Sequence, residues 1–162
     1  MSPPYVFKPV SKTDLPQLEV WLQGPEIKAW WGDPIEQAEL LRADIEDPRM
    51  QMELVFFQGR PFAYIQTYEA HAWPQAHLDH LPSGSRAIDT FIGESTMIGR
   101  GHGSAYMRLI ALRLQSECAP VIAIDPTEAN RRAVRAYSNA GFHIDSTFWS
   151  EEGPGVLMLF KG

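Results

Sequence analysis

Ile98-Gly99-Arg100-Gly101-His102-Gly103-Ser104-Ala105 is the stretch from which the rest of the chain is best read. Three glycines alternate there, just ahead of a segment with helical patterning. Glycine turns at positive φ and lets a backbone approach a ligand closely. The first turn of a helix leaves N–H groups without intrahelical partners, and the helix dipole draws an anion to that end. A glycine-rich turn feeding a helix is therefore a cradle for a pyrophosphate. Coenzyme A, a dinucleotide and a nucleoside triphosphate all carry one.

Two of these three fit poorly. A triphosphate-binding loop needs Lys and then Ser or Thr after its last glycine, whereas Gly103 is followed by Ser104-Ala105. A dinucleotide turn follows its strand directly and carries a third glycine. Here Gly93 to Ile98 intervenes, and Tyr106 stands at the third position. Asp125 does end a strand-like run after the turn, but too little sequence remains for a second nucleotide-binding half.

The chain has 162 residues, enough for one domain with a substantial core. Hydrophobic residues make up 44%, which places it among globular proteins. Net charge is −6, against nucleic acid as the main partner and in keeping with a cationic one. Cys118 is the sole cysteine, so no internal disulfide forms. Met1-Ser2-Pro3-Pro4-Tyr5-Val6-Phe7-Lys8 does not read as a signal peptide, and no apolar run approaches membrane length. A cytoplasmic protein, monomer or homodimer, without metal or membrane attachment, is the expectation.

Outward from the glycines, hydrophobic patterning predicts strands over Val6–Val10, Glu53–Phe57, Phe62–Tyr68, Ala87–Ile92, Val121–Ile124, His143–Trp149 and Val156–Phe160. Helices are expected over Asp14–Leu22, Ile35–Ile45 and Gly103–Ser116. A further helix, capped by Thr127, is expected to run to Ala140 and to stop at Gly141. Trp30-Trp31-Gly32-Asp33-Pro34 and Glu69 to Arg86 read as loops. The order β-α-α-β-β-β-α-β-α-β-β is a mixed α/β sheet. His71, His77 and His80, with Asp79, match no standard zinc spacing and read as a solvated loop.

Asn130 and Tyr137 lie seven residues apart, on one face of the expected helix and ~10 Å apart along its axis. An amide and a phenol so placed suit an extended ligand such as a pantetheine arm. The alternative, a solvated Asn130 and a boundary Tyr137, is less attractive because Ala129, Ala133, Ala136 and Ala140 already supply a small-residue packing stripe.

Taken together, these residues carry a family resemblance. Arg100-Gly101-His102-Gly103-Ser104-Ala105 resembles the R/Q-x-x-G-x-G/A acetyl-CoA loop of the GCN5-related N-acetyltransferases. Asn130 to Phe142, with its Arg-Ala-Tyr and Ala-Gly-Phe, is similar to the helix that follows in that family. More narrowly, Ile88-Asp89, Ile124-Asp125-Pro126, Asn130, Tyr137-Ser138-Asn139-Ala140-Gly141-Phe142 and Gly153-Pro154 resemble the branch containing aminoglycoside 6′-N-acetyltransferases. Siderophore-pathway lysine and hydroxylysine N-acyltransferases lie near it. The resemblance implies a single domain over residues 1–162 with a mixed, mostly antiparallel twisted sheet. About six to seven strands, about four helices and splayed central strands are expected.

It also implies roles. Ile98, Gly99, Arg100, Gly101, His102, Gly103 and Ser104 would hold the acetyl-CoA pyrophosphate, mainly through main-chain N–H groups. Asn130 and Tyr137 would contact the pantetheine arm. Tyr137 would be general acid to the leaving thiolate, since an unperturbed phenol with pKa ~10 keeps its proton in neutral solution. Trp30, Asp89, Asp125 and Glu152 would receive a small polycationic amine. Asp125 would also serve as a base, although a carboxylate beside an ammonium raises the amine's pKa and so retards deprotonation. In that branch the segment after the hairpin carries an acid that contacts substrate. Glu69 and Asp79 are the acids available here. The expected activity is direct acetyl transfer to a primary amine. A siderophore or lysine-type N-acyltransferase and a non-catalytic acyl-CoA sensor are the alternatives.

Overall fold

A computed structural model describes residues 4–162. Seven strands and five α-helices form: β1 (Tyr5–Pro9), α1 (Leu15–Leu22), α2 (Pro25–Trp31), α3 (Pro34–Asp44), β2 (Gln51–Phe57), β3 (Arg60–Glu69), β4 (Arg86–Ile92), α4 (His102–Ser116), β5 (Ile122–Ile124), α5 (Arg131–Ala140), β6 (Phe142–Ser150) and β7 (Gly153–Phe160). The strand order is β1-β2-β3-β4-β5-β7-β6. β4 and β5 run parallel, while β1–β2, β2–β3, β5–β7 and β6–β7 are antiparallel. The expected mixed, mostly antiparallel sheet is therefore present.

The chain forms two compact units. One takes in residues 4–67 together with Thr90–Ile98; the other comprises Tyr68–Asp89 and Gly99–Gly162. In the first unit, Leu18, Trp21 and Leu22 of α1 pack with Ile27 of α2, Ala38 and Leu41 of α3, Leu54 of β2, Tyr64 of β3 and Phe91 of β4. Gly93 is a glycine because its neighbour requires it. A Cβ there would lie 2.0 Å from the Trp21 ring. Trp21 Nε1 in turn donates to Glu94 at 3.0 Å.

One expectation fails in this unit. Trp30 and Trp31 are not loop residues but the last turn of α2, which raises the helix count from four to five. Gly24 starts this helix, Pro25 sits at its first position, Glu26 lies in its first turn, and Gly32 leaves it at φ +91°. Seven residues give too few turns for hydrophobic periodicity to register. Packing supplies the rest: the Trp31 ring meets those of Phe91 and Tyr64 edge-on, at 5.0 and 6.3 Å between centroids.

In the second unit α4 buries Tyr106, Met107, Ile110, Ala111 and Leu114. Two of its polar side chains tie it to α5: Ser104 Oγ donates to the Ala136 carbonyl at 2.9 Å, and Arg108 Nη1 to the Ala140 carbonyl at 3.2 Å. Gly141 ends α5 at φ +115°, and a Cβ there would meet Phe160 at 2.8 Å.

The start of α5 also differs from expectation. Thr127 forms a β-bridge to Gly155, and the helix begins at Arg131 with Asn130 as its cap. Both residue types cap helices well, and a tertiary contact decides between them. Glu128 N donates to the Pro154 carbonyl and Val156 N to the Pro126 carbonyl, tying the segment after β5 to the start of β7.

Candidate active site

The glycine turn has the conformation its composition demands. Gly99 and Gly101 sit at φ +77° and +86°, a region costly for residues with a Cβ. No atom lies within 4 Å of a Cβ built at either, so the turn faces open space. The first α4 bond runs from Ala105 N to the Gly101 carbonyl at 3.2 Å. The amides of His102, Gly103 and Ser104 come before it, at the helix end where donors lack intrahelical acceptors. No side chain caps this end, and no acid occupies the first turn. Burial and the neighbouring Arg100 both lower the His102 pKa. Ile98 lies one residue ahead of Gly99, in extended conformation after a short 3-10 turn, Ser95–Met97.

β4 and β5 pair only from Arg86↔Ile122 to Ile88↔Ile124. β5 then ends, while β4 continues. Asp89 and Asp125 are the next residues on the two strands, at the point where ladder pairing stops. Both carboxylates act on the same two phenols. Tyr137 is pushed well above the ordinary tyrosine range by burial first, then by Tyr106, Asp89 and Asp125. Tyr68, at the end of β3, is pushed up by burial and then by Asp89 and Asp125. Gln75 Nε2 reaches the Tyr68 hydroxyl at 3.5 Å. The Tyr137 ring also packs edge-on against Phe142 at 6.4 Å.

Residues 69–86 form the expected long loop, with one 3-10 turn at Ala76–Leu78, but its interior is packed rather than solvated. Ala70 N donates to the Ser85 carbonyl at 2.7 Å, closing its base. Ala70, Leu78, Leu81 and Ser85 are buried. Glu69 accepts from the amides of His71 and Gly84, and His71 Nε2 donates to the Leu78 carbonyl at 3.1 Å. Glu69 is thus committed to shaping the segment, and Asp79 is exposed. With Leu78 anchored, the preceding His77 projects onto Asp125. Nε2 lies 2.6 Å from Oδ2, and the ring stacks on Phe148 at 3.9 Å and 7° between planes. Phe148 fits there because its β7 partner is Gly155, whose Cβ would meet the ring at 2.3 Å.

His77 is the site residue that sequence reasoning missed. It stands 48 positions from Asp125, so no local spacing joins them. The expected shared face of Asn130 and Tyr137 also needs correction. Asn130 sits outside the helix, at φ −80° and ψ 71°, and its Oδ1 accepts from Ala133 N at 3.3 Å. Only its Nδ2 amide remains for a ligand. Glu152 is exposed in the β6–β7 turn. Trp30 belongs to α2 in the first unit and is 44% exposed. Among the described residues, no group of three or more His, Cys, Asp or Glu is placed to hold a metal ion. No helix there is long and apolar enough to cross a membrane.

The sheet order, the open helix start after a glycine turn and the carboxylates at a strand split define an acyl-transfer fold. A model of the acetyltransferase (GNAT) domain matches residues 10–149, and the chain belongs to that family. Aminoglycoside N(6′)-acetyltransferase type 1 of Klebsiella pneumoniae is 29% identical over 164 residues, spanning 93% of this chain and 79% of the relative. A solved structure of AAC(6′)-Ib in complex with parmomycin and acetyl-CoA superposes with a TM-score of 0.86. Identity is 25%, over 98% of this chain and 93% of that one. The aminoglycoside N(6′)-acetyltransferase of Legionella pneumophila gives 0.81 at 26% identity, over 99% and 93% of the two chains.

Proposed function

We propose that the chain transfers acetyl from acetyl-CoA to a primary amine of a small polycation of the aminoglycoside kind. The observation that carries this reading is the pair Asp89 and Asp125 at the end of the parallel ladder, both acting on Tyr137. The α4 start fits the pyrophosphate. It offers the amides of Gly101 to Ser104, carries no side-chain cap and no first-turn acid, and has Arg100 alongside. Asn130 Nδ2 is assigned to the pantetheine arm.

Bound there, acetyl-CoA supplies the thioester carbonyl that the amine attacks. Tyr137 keeps its proton at neutral pH and gives it to the departing sulfur. Asp89 and Asp125 hold the acceptor's ammonium groups. The same carboxylates raise the phenol's pKa, so a cation seated between them offsets that effect and makes Tyr137 a better proton donor. Trp30 and Glu152 are assigned acceptor contact on the resemblance and on their exposure.

The test is thiol release from acetyl-CoA with kanamycin- and tobramycin-like compounds, polyamines and lysine derivatives. Aminoglycosides are expected to react fastest. Faster turnover of lysine derivatives with a longer acyl-CoA would point to the lysine-type acyltransferase. Acetyl-CoA binding without thiol release for any amine would point to a sensor.

A further inference from the structure

We propose that His77 is the general base that deprotonates the acceptor ammonium, with Asp125 as the residue that orients and charges it. This rests on the acetyl-transfer reading above and names a group that reading leaves unassigned. The attacking nitrogen must be uncharged. The carboxylates that hold an ammonium also keep it protonated, so a base other than the bare acids is required. Imidazole is the side chain suited to that step in the neutral range.

The geometry defines the tautomer. Nε2 lies 2.6 Å from Asp125 Oδ2, and the tautomer in which the carboxylate oxygen accepts has Nε2 as the donor. Nδ1 then carries the lone pair, and no described residue hydrogen-bonds to it. Three elements fix the ring. Leu78 anchors its own turn in the core, Phe148 of β6 stacks on its face, and Asp125 at the end of β5 holds its edge. A base whose far nitrogen bonds a carboxylate is stabilised as it takes up a proton. The pair is partly solvent-accessible, at 18% for His77 and 21% for Asp125, so an acceptor can reach it.

The neighbouring titratable groups are consistent with this role. Asp89 and Asp125 both raise the pKa of Tyr68 of β3 and of Tyr137 of α5, so both phenols are held protonated. On β6 the contact is the uncharged Phe148, while Asp145 of that strand lies 3.5 Å from His80. No cation of Lys or Arg is ion-paired to Asp125 among the described residues.

The proton balance is as follows. An ammonium N–H bond breaks and an Nδ1–H bond forms, leaving a lone pair on the amine. That pair forms the C–N bond as the C–S bond breaks. The sulfur takes the Tyr137 proton, the second proton shed by the nitrogen restores the phenol, and His77 releases its own to water.

The experiment compares wild type, His77→Gln and His77→Ala by thiol release, with saturating acetyl-CoA and one aminoglycoside acceptor, across the pH range. Glutamine retains a donor toward Asp125 but is no base. His77→Gln is expected to lose on the order of a hundredfold in kcat at neutral pH with acceptor KM within about threefold. The deficit should shrink as pH rises and free amine accumulates. Added imidazole should restore part of the His77→Ala rate. A His77→Gln kcat within about twofold of wild type, with an unchanged pH profile, overturns the assignment. So does a loss that neither alkali nor imidazole relieves in a variant whose Tm matches wild type. Wild type that turns over no amine would instead overturn the acetyl-transfer reading itself.

Discussion

The starts of α4 and α5 both lie in the second unit, yet they are built in opposite ways. At α5, Asn130 turns its side chain onto Ala133 N and closes the end from within. α3 does the same, with Asp33 accepting from Ile35 N and Glu36 in its first turn. At α4 the cap position is Gly101, in left-handed backbone, with no side chain to turn inward and no acid behind it. A glycine at the cap forgoes about a few tenths of a kcal/mol relative to Ser, Thr, Asn or Asp. α1 and α2 likewise start without a side-chain cap bond, but of the five helices described only α4 has its cap position in left-handed backbone. On the reading proposed above, the α4 start offers its main-chain donors to an external anion, whereas α5 mounts Tyr137.

That contrast can be broken most sharply at Gly101. Gly101→Asp puts a carboxylate at the anion site and a Cβ at φ +86°. Acetyl-CoA affinity should fall on the order of a hundredfold, in line with charge-assisted hydrogen bonds of about 1.5–3 kcal/mol each. Calorimetry checks it, with Tm as the control for folding. Affinity within about threefold of wild type would mean that the α4 start is not the anchor.

Tyr137→Phe probes the other helix. Because α5 contributes a side chain rather than its end, kcat should drop by roughly tenfold or more with acetyl-CoA affinity intact. Steady-state kinetics beside calorimetry separates the two effects. An unchanged kcat removes the phenol from the chemistry. The raised pKa carries a sign as well. The folded phenol resists ionisation where the unfolded one, near 10, gives up its proton. The unfolded state then binds fewer protons, so stability should fall as pH climbs past about 10 and stay flat in Tyr137 below it.

The smallest effect is expected at Asn130. Asn130→Ala should cost about 1 kcal/mol of stability through the lost cap, read as a lower Tm or denaturation midpoint. Asn130→Asp retains the acceptor and should recover most of that. An Asn130→Ala variant with wild-type stability would make its role purely one of ligand contact.

Much of this contrast was legible in the chain itself. Alternating glycines before a helical run require a left-handed turn, and Gly141 marks the end of α5. Both strands of the parallel pair were expected from their apolar runs, Ala87–Ile92 and Val121–Ile124, and Ile88-Asp89 and Ile124-Asp125 entered through the family resemblance. What escaped depends on contacts distant in sequence. Thr127 and Asn130 have equal local claims to cap α5, and only the bridge to Gly155 excludes the former. Ser104 and Arg108 bind carbonyls 32 residues away, which no local pattern reports. The short helix α2 is held by aromatic packing that no seven-residue pattern reports. His77 needed a buried Leu78 beside it, an aspartate 48 residues on and a glycine beneath Phe148.

Paired calorimetric titrations of the unmodified protein with coenzyme A and with pantetheine, which lacks the diphosphate, reach the central claim most directly. If main-chain amides from Gly101 to Ser104 grip the diphosphate, coenzyme A binds and pantetheine binds on the order of a hundredfold more weakly or gives no heat. Equal affinity for the two, or no heat from coenzyme A, would contradict it.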